Sequence, residues 1–163
     1  MPEQSRGGDD LAGVVAPPPL IYLGFLAAGL GLGYLWPLAI AGDGVPVAAR
    51  TGVGAALAAL GIVIGIAGFR QFRRAGTDVR PDRPTTALVT TGIYRYSRNP
   101  LYLSQTLVYG GIALAADSLW AMAFLVPTLV VVRYGVIARE EAYLERKFGD
   151  DYRRFKAAVR RWL

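Results

Sequence analysis

The chain has 163 residues, enough for one domain, and 53% of them are apolar, with a mean hydropathy of +0.34 that is high for a soluble protein. It contains neither Cys nor His, which removes disulfides, thiolate nucleophiles, zinc–thiolate sites and imidazole acid–base chemistry together. The net charge is +6, but the cations are clustered: seven fall in Arg70–Arg98 and eight in Arg139–Arg161. Both blocks flank long uncharged runs, which marks cytoplasmic membrane loops and argues against nucleic acid as a partner.

Met1–Pro19 is polar and ends in three prolines. It lacks the basic start, apolar run and small-residue cleavage site of a signal peptide, so it is expected to be a flexible N-terminal tail. Leu20–Ala41 then runs 22 residues without a charge, long enough to span a bilayer as a helix. Trp36-Pro37 suits an interface anchor. Gly29 and Gly33 form a GxxxG pair that would let another helix come close. After a short turn, Thr51–Phe69 is a second uncharged run, carrying Gly54, Gly61, Gly65 and Gly68. Small residues on such a helix point to tight packing rather than chemistry.

Arg70–Arg98 is a polar, positive loop whose Pro81 and Pro84 keep its middle from forming one helix. Leu101–Ala116 is a third apolar run, Asp117-Ser118 a tight turn, and Leu119–Ala138 a fourth run, interrupted by Pro127 and holding one charge, Arg133. The last two read as a helical hairpin. Arg139–Leu163 is charged throughout, yet Leu144, Phe148, Tyr152, Phe155, Val159 and Trp162 recur at helical steps. Gly149 before Asp150 marks a break between two helices. This amphipathic tail is expected along the cytoplasmic membrane surface or folded back over the loop. The expected fold is therefore an all-α integral membrane protein. Residues 20–163 form one domain with spans at about 20–41, 51–69, 101–116 and 119–138, a loop at 77–102 and a tail at 139–163. Both termini would be cytoplasmic.

Chemistry concentrates where Arg98, Asn99 and Pro100 abut the third run. Pro can open a helix at its first turn, where its missing N–H would have no partner anyway. Tyr94, Tyr96 and Tyr102 offer aromatic faces for a cation, and Asn99 a donor and an acceptor. An aromatic interface belt with basic anchors also accounts for Tyr and Arg here, though not for their order. Glu140 and Glu141 follow a membrane span at the same level. A carboxylate there is either functional or a solvated helix end paired with Arg139 or Arg146. The scattered carboxylates give no metal site, and serines without His give no hydrolytic triad.

Gly92-Ile-Tyr94, Arg98-Asn-Pro-Leu-Tyr102, Glu140-Glu141, Phe148-Gly149 and Tyr152 together resemble the isoprenylcysteine carboxyl methyltransferase and phospholipid methyltransferase superfamily. The resemblance spans about Thr77 to Leu163. It implies a membrane-integral methyltransferase using S-adenosyl-L-methionine and a lipophilic acceptor drawn from the lipid bilayer. It also implies a cofactor site formed by Thr86, Ala87, Leu88, Val89, Tyr94, Asn99, Pro100, Leu101 and Tyr102, closed by Glu140. No catalytic residue is assigned, because methyl transfer from a sulfonium needs placement above all. The chain departs from the prenylcysteine branch at two positions. Asn99 stands where that branch usually has His, and Val136 where it has a substrate-binding Arg, leaving Arg133 and Arg139 as candidate cations. A carboxylate, a thiol and a phospholipid amine all stay open as acceptors. The alternatives are a non-catalytic four-helix scaffold and a small transporter. The transporter would want polar groups at the bilayer midplane, which the spans lack. The expected location is a prokaryotic-type inner or plasma membrane.

Overall fold

The computed structural model describes residues 12–78 and 83–163, and these contain helices and loops but no β-strand. The helices are α1 (Pro18–Leu35), α2 (Val47–Arg74), α3 (Pro100–Ala115), α4 (Leu119–Val132), a π-helical turn (Arg133–Ile137), α5 (Ala138–Phe148) and α6 (Asp150–Ala158). The expected all-α membrane fold is what the chain adopts. By length and composition α1, α2 and the continuous rod Leu119–Phe148 can each cross a membrane. α3 has 16 residues, about 24 Å of helix, short of a hydrocarbon core of about 30 Å.

Helix boundaries differ from the apolar runs for physical reasons. α1 starts two residues early because Pro18 sits in its first turn, where a missing N–H costs nothing. It stops at Leu35 instead of Ala41, since Trp36 precedes Pro37 and a residue before proline is disfavoured in helical conformation. α2 runs past its uncharged segment at both ends, taking in Arg50, Arg70, Arg73 and Arg74. Charge ends a membrane span, but arginine is a good helix former. Nor does Pro127 break α4, because neighbours and hydroxyls can re-satisfy the freed backbone of a membrane helix.

Glycine decides how the helices pair. α2 lies against α3, and α1 against α4. On α2, Gly54, Gly61 and Gly68 recur every seven residues on the buried face. A Cβ at Gly61 would stand 2.7 Å from the Ser104 carbonyl oxygen, and one at Gly54 2.5 Å from that of Gly111. Gly29 and Gly33 serve α1 in the same way, against Ala121 and Ser118. The hairpin of α3 and α4 turns at Asp117-Ser118 as expected, but each arm packs chiefly on another helix. Tyr22, Tyr102 and Tyr109 sit in the core between the pairs. Tyr22 is tied to Thr106 at 2.9 Å, and Tyr109 donates to the Ala121 carbonyl at 2.9 Å.

Residues 1–11 of the expected N-terminal tail and residues 79–82 of the expected loop lie outside the described residues. Further on, the expected tail is engaged. The Val15 amide donates to the Gly135 carbonyl at 3.1 Å, Arg139 donates to the Gly13 carbonyl at 2.7 Å, and Pro18 is buried. The N-terminal segment thus crosses the π-helical turn, where a Cβ on Gly135 would stand 2.7 Å from Val15.

Candidate functional site

One cavity is formed where the ends of α2 and α3, the loop before α3, and α5 and α6 converge. It holds about 870 Å³ of space between atoms, counting the part open to solvent at its mouth. Each wall has a local cause. At Gly92 the backbone turns through φ +61°, a conformation glycine adopts without penalty. Tyr94 is thereby seated on Phe72, edge to face, with ring centroids 5.6 Å apart. Gly68 of α2 lets Leu101 and the Tyr94 hydroxyl come close. Burial, and then the charge of Glu140, raise the Tyr94 pKa, so its hydroxyl keeps its proton.

α3 opens at Pro100, with Asn99 as its N-cap. The Asn99 side chain does not cap the helix. Its amide donates instead to the Arg161 carbonyl at 3.0 Å. The Tyr102 hydroxyl, one turn into α3, lies 2.8 Å from both carboxylate oxygens of Glu140. Glu140 makes no ion pair among the described residues.

Glu141 behaves differently. It pairs with Arg98 at 3.1 Å and with Arg161 at 2.6 Å, and its side chain is only 10% exposed. The extended C-terminal residues are fastened over the loop by the same clasp. The Arg98 amide donates to the Arg160 carbonyl at 3.0 Å, and the Ser97 hydroxyl to that of Arg161 at 3.3 Å. The tail therefore folds back, and Gly149, with φ +53°, makes the expected corner between α5 and α6. Tyr152 and Phe155 of α6 reach the cavity. Burial, with help from Glu141, pushes the Tyr152 hydroxyl up to about 12.

Of the residues expected at the site, Ala87, Leu88, Val89, Tyr94, Asn99, Leu101, Tyr102 and Glu140 line this one cavity. Thr86 and Pro100 do not. Thr86 is exposed and ties its loop to the end of α2 through Thr77, at 2.9 Å, and the Gly76 carbonyl. Pro100 is buried beneath the helix start. Neither candidate substrate cation lines the cavity. Arg133 lies over the Tyr134 ring, 5.4 Å from its centroid, and Arg139 holds the N-terminal segment. Val136 is fully buried in the core.

Arg98, Glu141, Phe72, Tyr143, Tyr152 and Phe155 also belong to the site. Adjacent residues on a helix point about 100° apart, so Glu140 and Glu141 had to have separate partners. The stripe carrying Tyr152 and Phe155 was legible as amphipathic, but its direction was not. Nothing local to Phe72, twenty-two residues before Tyr94, marks it.

The fold is that of a helical membrane protein with a cavity at one end of its bundle. The family model described as Phospholipid methyltransferase matches residues 49–151, a stretch that takes in nearly all of α2, the loop, Tyr102, Glu140 and Glu141. The chain belongs to the phospholipid methyltransferase family, and so to a class of integral membrane methyltransferases. An uncharacterized protein of Haemophilus influenzae is 47% identical over 68 residues, which is 39% of this chain and the whole of that relative. No solved structure matches.

Proposed function

We propose that the protein transfers a methyl group from S-adenosyl-L-methionine to a small lipophilic acceptor at the membrane surface. The observation that carries this reading is Glu140: a half-buried carboxylate in the cavity, held by the Tyr102 hydroxyl at 2.8 Å and by no cation among the described residues. Such a group suits a positively charged ligand, and the phenol rings of Tyr94 and Tyr102 suit one as well. The residues present therefore fit this cofactor. Glu140 and the rings would hold its positive charge, and the backbone at residues 87–89 and Asn99 would hold its polar groups.

Bound there, the cofactor supplies an electrophilic methyl group on a sulfonium. The chain's own contribution is positional. Tyr102 fixes the orientation of Glu140, while Phe72, Leu88, Leu101 and Phe155 offer apolar surface that keeps water from the reacting atoms. Holding two reactants in near-attack geometry is worth about 7–11 kcal/mol. No group in this account serves as a general acid or base, in keeping with a chain without His or Cys.

A neutral acceptor, a thiol or an amine, is favoured over a prenylated carboxylate. Arg133 and Arg139 both lie outside the cavity and have other partners. The acceptor would come from the lipid bilayer. The test is calorimetric titration of S-adenosylhomocysteine into the detergent-purified protein and into Glu140→Ala. Micromolar binding by the wild type, weakened at least about tenfold in the variant, is the expected result. A folded wild-type protein that binds nothing, in detergent and in lipid, would leave a non-catalytic scaffold as the better reading.

A further inference from the structure

The segment before α1 is built into the protein. From Ala12 to Pro18 burial alternates: Ala12, Val14, Ala16 and Pro18 are partly or fully buried, and Gly13, Val15 and Pro17 are exposed. An alternation of two is that of extended chain laid on a surface. Val14 and Ala16 pack on the core cluster around Ile21 and Val136.

Its fastening is specific to the rod that carries Glu140. The Val15 amide donates to the Gly135 carbonyl at 3.1 Å. Gly135 belongs to the π-helical turn, a form that occurs mostly as single turns, often at functional sites. One helical turn on, Arg139 donates to the Gly13 carbonyl at 2.7 Å. Gly13 takes φ +60° there, a conformation glycine adopts without penalty. The segment thus runs along the rod from Gly135 to Arg139, toward Glu140, and its next residue, Ala12, lines the cavity. It comes to the cavity from the side of α4, the apolar part of the rod.

Among the described residues that line the cavity, Ala12 alone precedes the stretch 49–151 matched by the family model. A wall from outside the shared stretch can vary without disturbing the groups that hold a common donor. We propose that Ala12 is part of the binding site for the lipophilic acceptor, a surface against which its apolar chain packs, and that Arg139 is a positioning residue that holds this wall in place. The proposal rests on the methyl-donor reading above. A methyl side chain leaves room for an alkyl chain and offers it an apolar contact. Arg139 then acts on the acceptor through the shape of the site, by way of the Gly13 carbonyl, and not by pairing with a charge.

The chain has no Cys, so Ala12→Cys places a single thiol at the wall. The full-length variant in detergent is labelled with a charged methanethiosulfonate reagent, with and without octylamine as an amine acceptor probe, and with S-adenosylhomocysteine. Val45→Cys, at an exposed position near the other end of the bundle, is the control. Octylamine at ten times its Kd is expected to slow labelling of Ala12→Cys about tenfold, since about a tenth of the sites stay empty, and to leave Val45→Cys unchanged. S-adenosylhomocysteine alone should slow it less than about twofold. No protection by octylamine, or equal protection at both positions, overturns the proposal. Full protection by S-adenosylhomocysteine alone also overturns it, because Ala12 would then belong to the donor site. Arg139→Gln added to Ala12→Cys should speed labelling, and an unchanged rate refutes the positioning role. Should that variant fail to fold, Val15→Cys with Gly135→Cys decides. A Cβ on Gly135 stands 3.7 Å from that of Val15, within the range of about 3.5–4.5 Å across a disulfide. Oxidation should join the two, and thiols that stay free show that the segment is not fastened there. Calorimetry of the wild type with S-adenosylhomocysteine reads the donor site separately, so a failure of the methyl-donor reading is told apart from a failure of the wall.

Discussion

The two ends of the bundle use the same device to different effect. At one end, the Asp117 carboxylate closes the turn between α3 and α4. It accepts from the amides of Ile40 and Ala41 at 3.0 and 2.9 Å and pairs with Arg50. At the other end, Glu141 joins Arg98 before α3 to Arg161 of the C-terminal strap. Each clasp ties segments far apart in sequence, and each leaves a buried arginine Nε with no acceptor among the described residues. What differs is the company. Beside Arg50 the hollow is lined by Leu30, Leu38, Ala116 and their neighbours, with Asp117 as its one carboxylate. Beside Arg98 stands a second carboxylate, Glu140, together with the phenols Tyr94, Tyr102, Tyr143 and Tyr152. A clasp alone makes structure. At the second end the clasp stands next to a carboxylate, Glu140, that pairs with no cation among the described residues.

The sharpest way to break this comparison is Glu141→Ala. Removing one partner of a buried ion pair strands the charges left behind, at a cost of about 3–5 kcal/mol. The melting temperature of the purified protein should fall substantially, whereas Glu140→Ala should leave it near the wild-type value and weaken ligand binding instead. Equal effects of the two variants on both readouts would dissolve the distinction between clasp and site.

Gly61→Val comes next. A side chain there meets the Ser104 carbonyl and Val108, and overpacking of this kind costs about 1–3 kcal/mol. It separates α2 from α3 and so moves Gly68 away from Leu101 and Tyr94. Both thermal stability and S-adenosylhomocysteine affinity should drop, because the helix contact positions the site. A variant of normal stability and affinity would show that α2 and α3 need not touch so closely.

The smallest effect concerns the far clasp. Hydrogen bonds from the Ala41 amide first, and then the charge of Arg50, hold the Asp117 pKa below its ordinary 3.8. A carboxylate lowered in the folded state contributes stability that is present above its unfolded pKa and lost as pH falls through the folded one. Asp117→Asn tolerates the left-handed φ of 51° at this position but has no charge to lose. The wild type should therefore melt above the variant by a constant margin at about pH 5–7, and the margin should close below about pH 4. Ligand binding should be untouched at neutral pH. A margin that persists in acid would mean that the charge of Asp117 contributes nothing.

Most of the residues that line the cavity were legible through the family resemblance, whose motif residues come in short runs. The loop residues 87–89 and the run Asn99–Tyr102 are consecutive, and Pro100 announces the helix that follows. Glu140 was legible as a carboxylate at the end of an apolar run. Its neighbour's role was not, since Glu141 finds its partners at Arg98 and Arg161, dozens of residues away in one direction and twenty in the other. The resemblance puts Thr86 at the site with Ala87, yet its hydrogen bonds to Thr77 and Gly76 tie it to the segment after α2. Arg133 and Arg139 were candidates by proximity in sequence. The π-helical turn between Val132 and Ala138, and the N-terminal segment laid across it, gave them other neighbours.

The amino-acid sequence by itself determined the apolar runs, the glycine faces, the break at Gly149 and the motif that leads to a membrane methyltransferase. These depend on hydrophobicity, backbone freedom and residue order, properties that act over one or two turns of chain. Only the tertiary structure decided which helices pair, where the strap of residues 159–163 is fastened, and which of two adjacent glutamates stays uncommitted. Those outcomes depend on groups far apart in sequence meeting at about 3 Å, where a hydrogen bond or an ion pair either forms or does not.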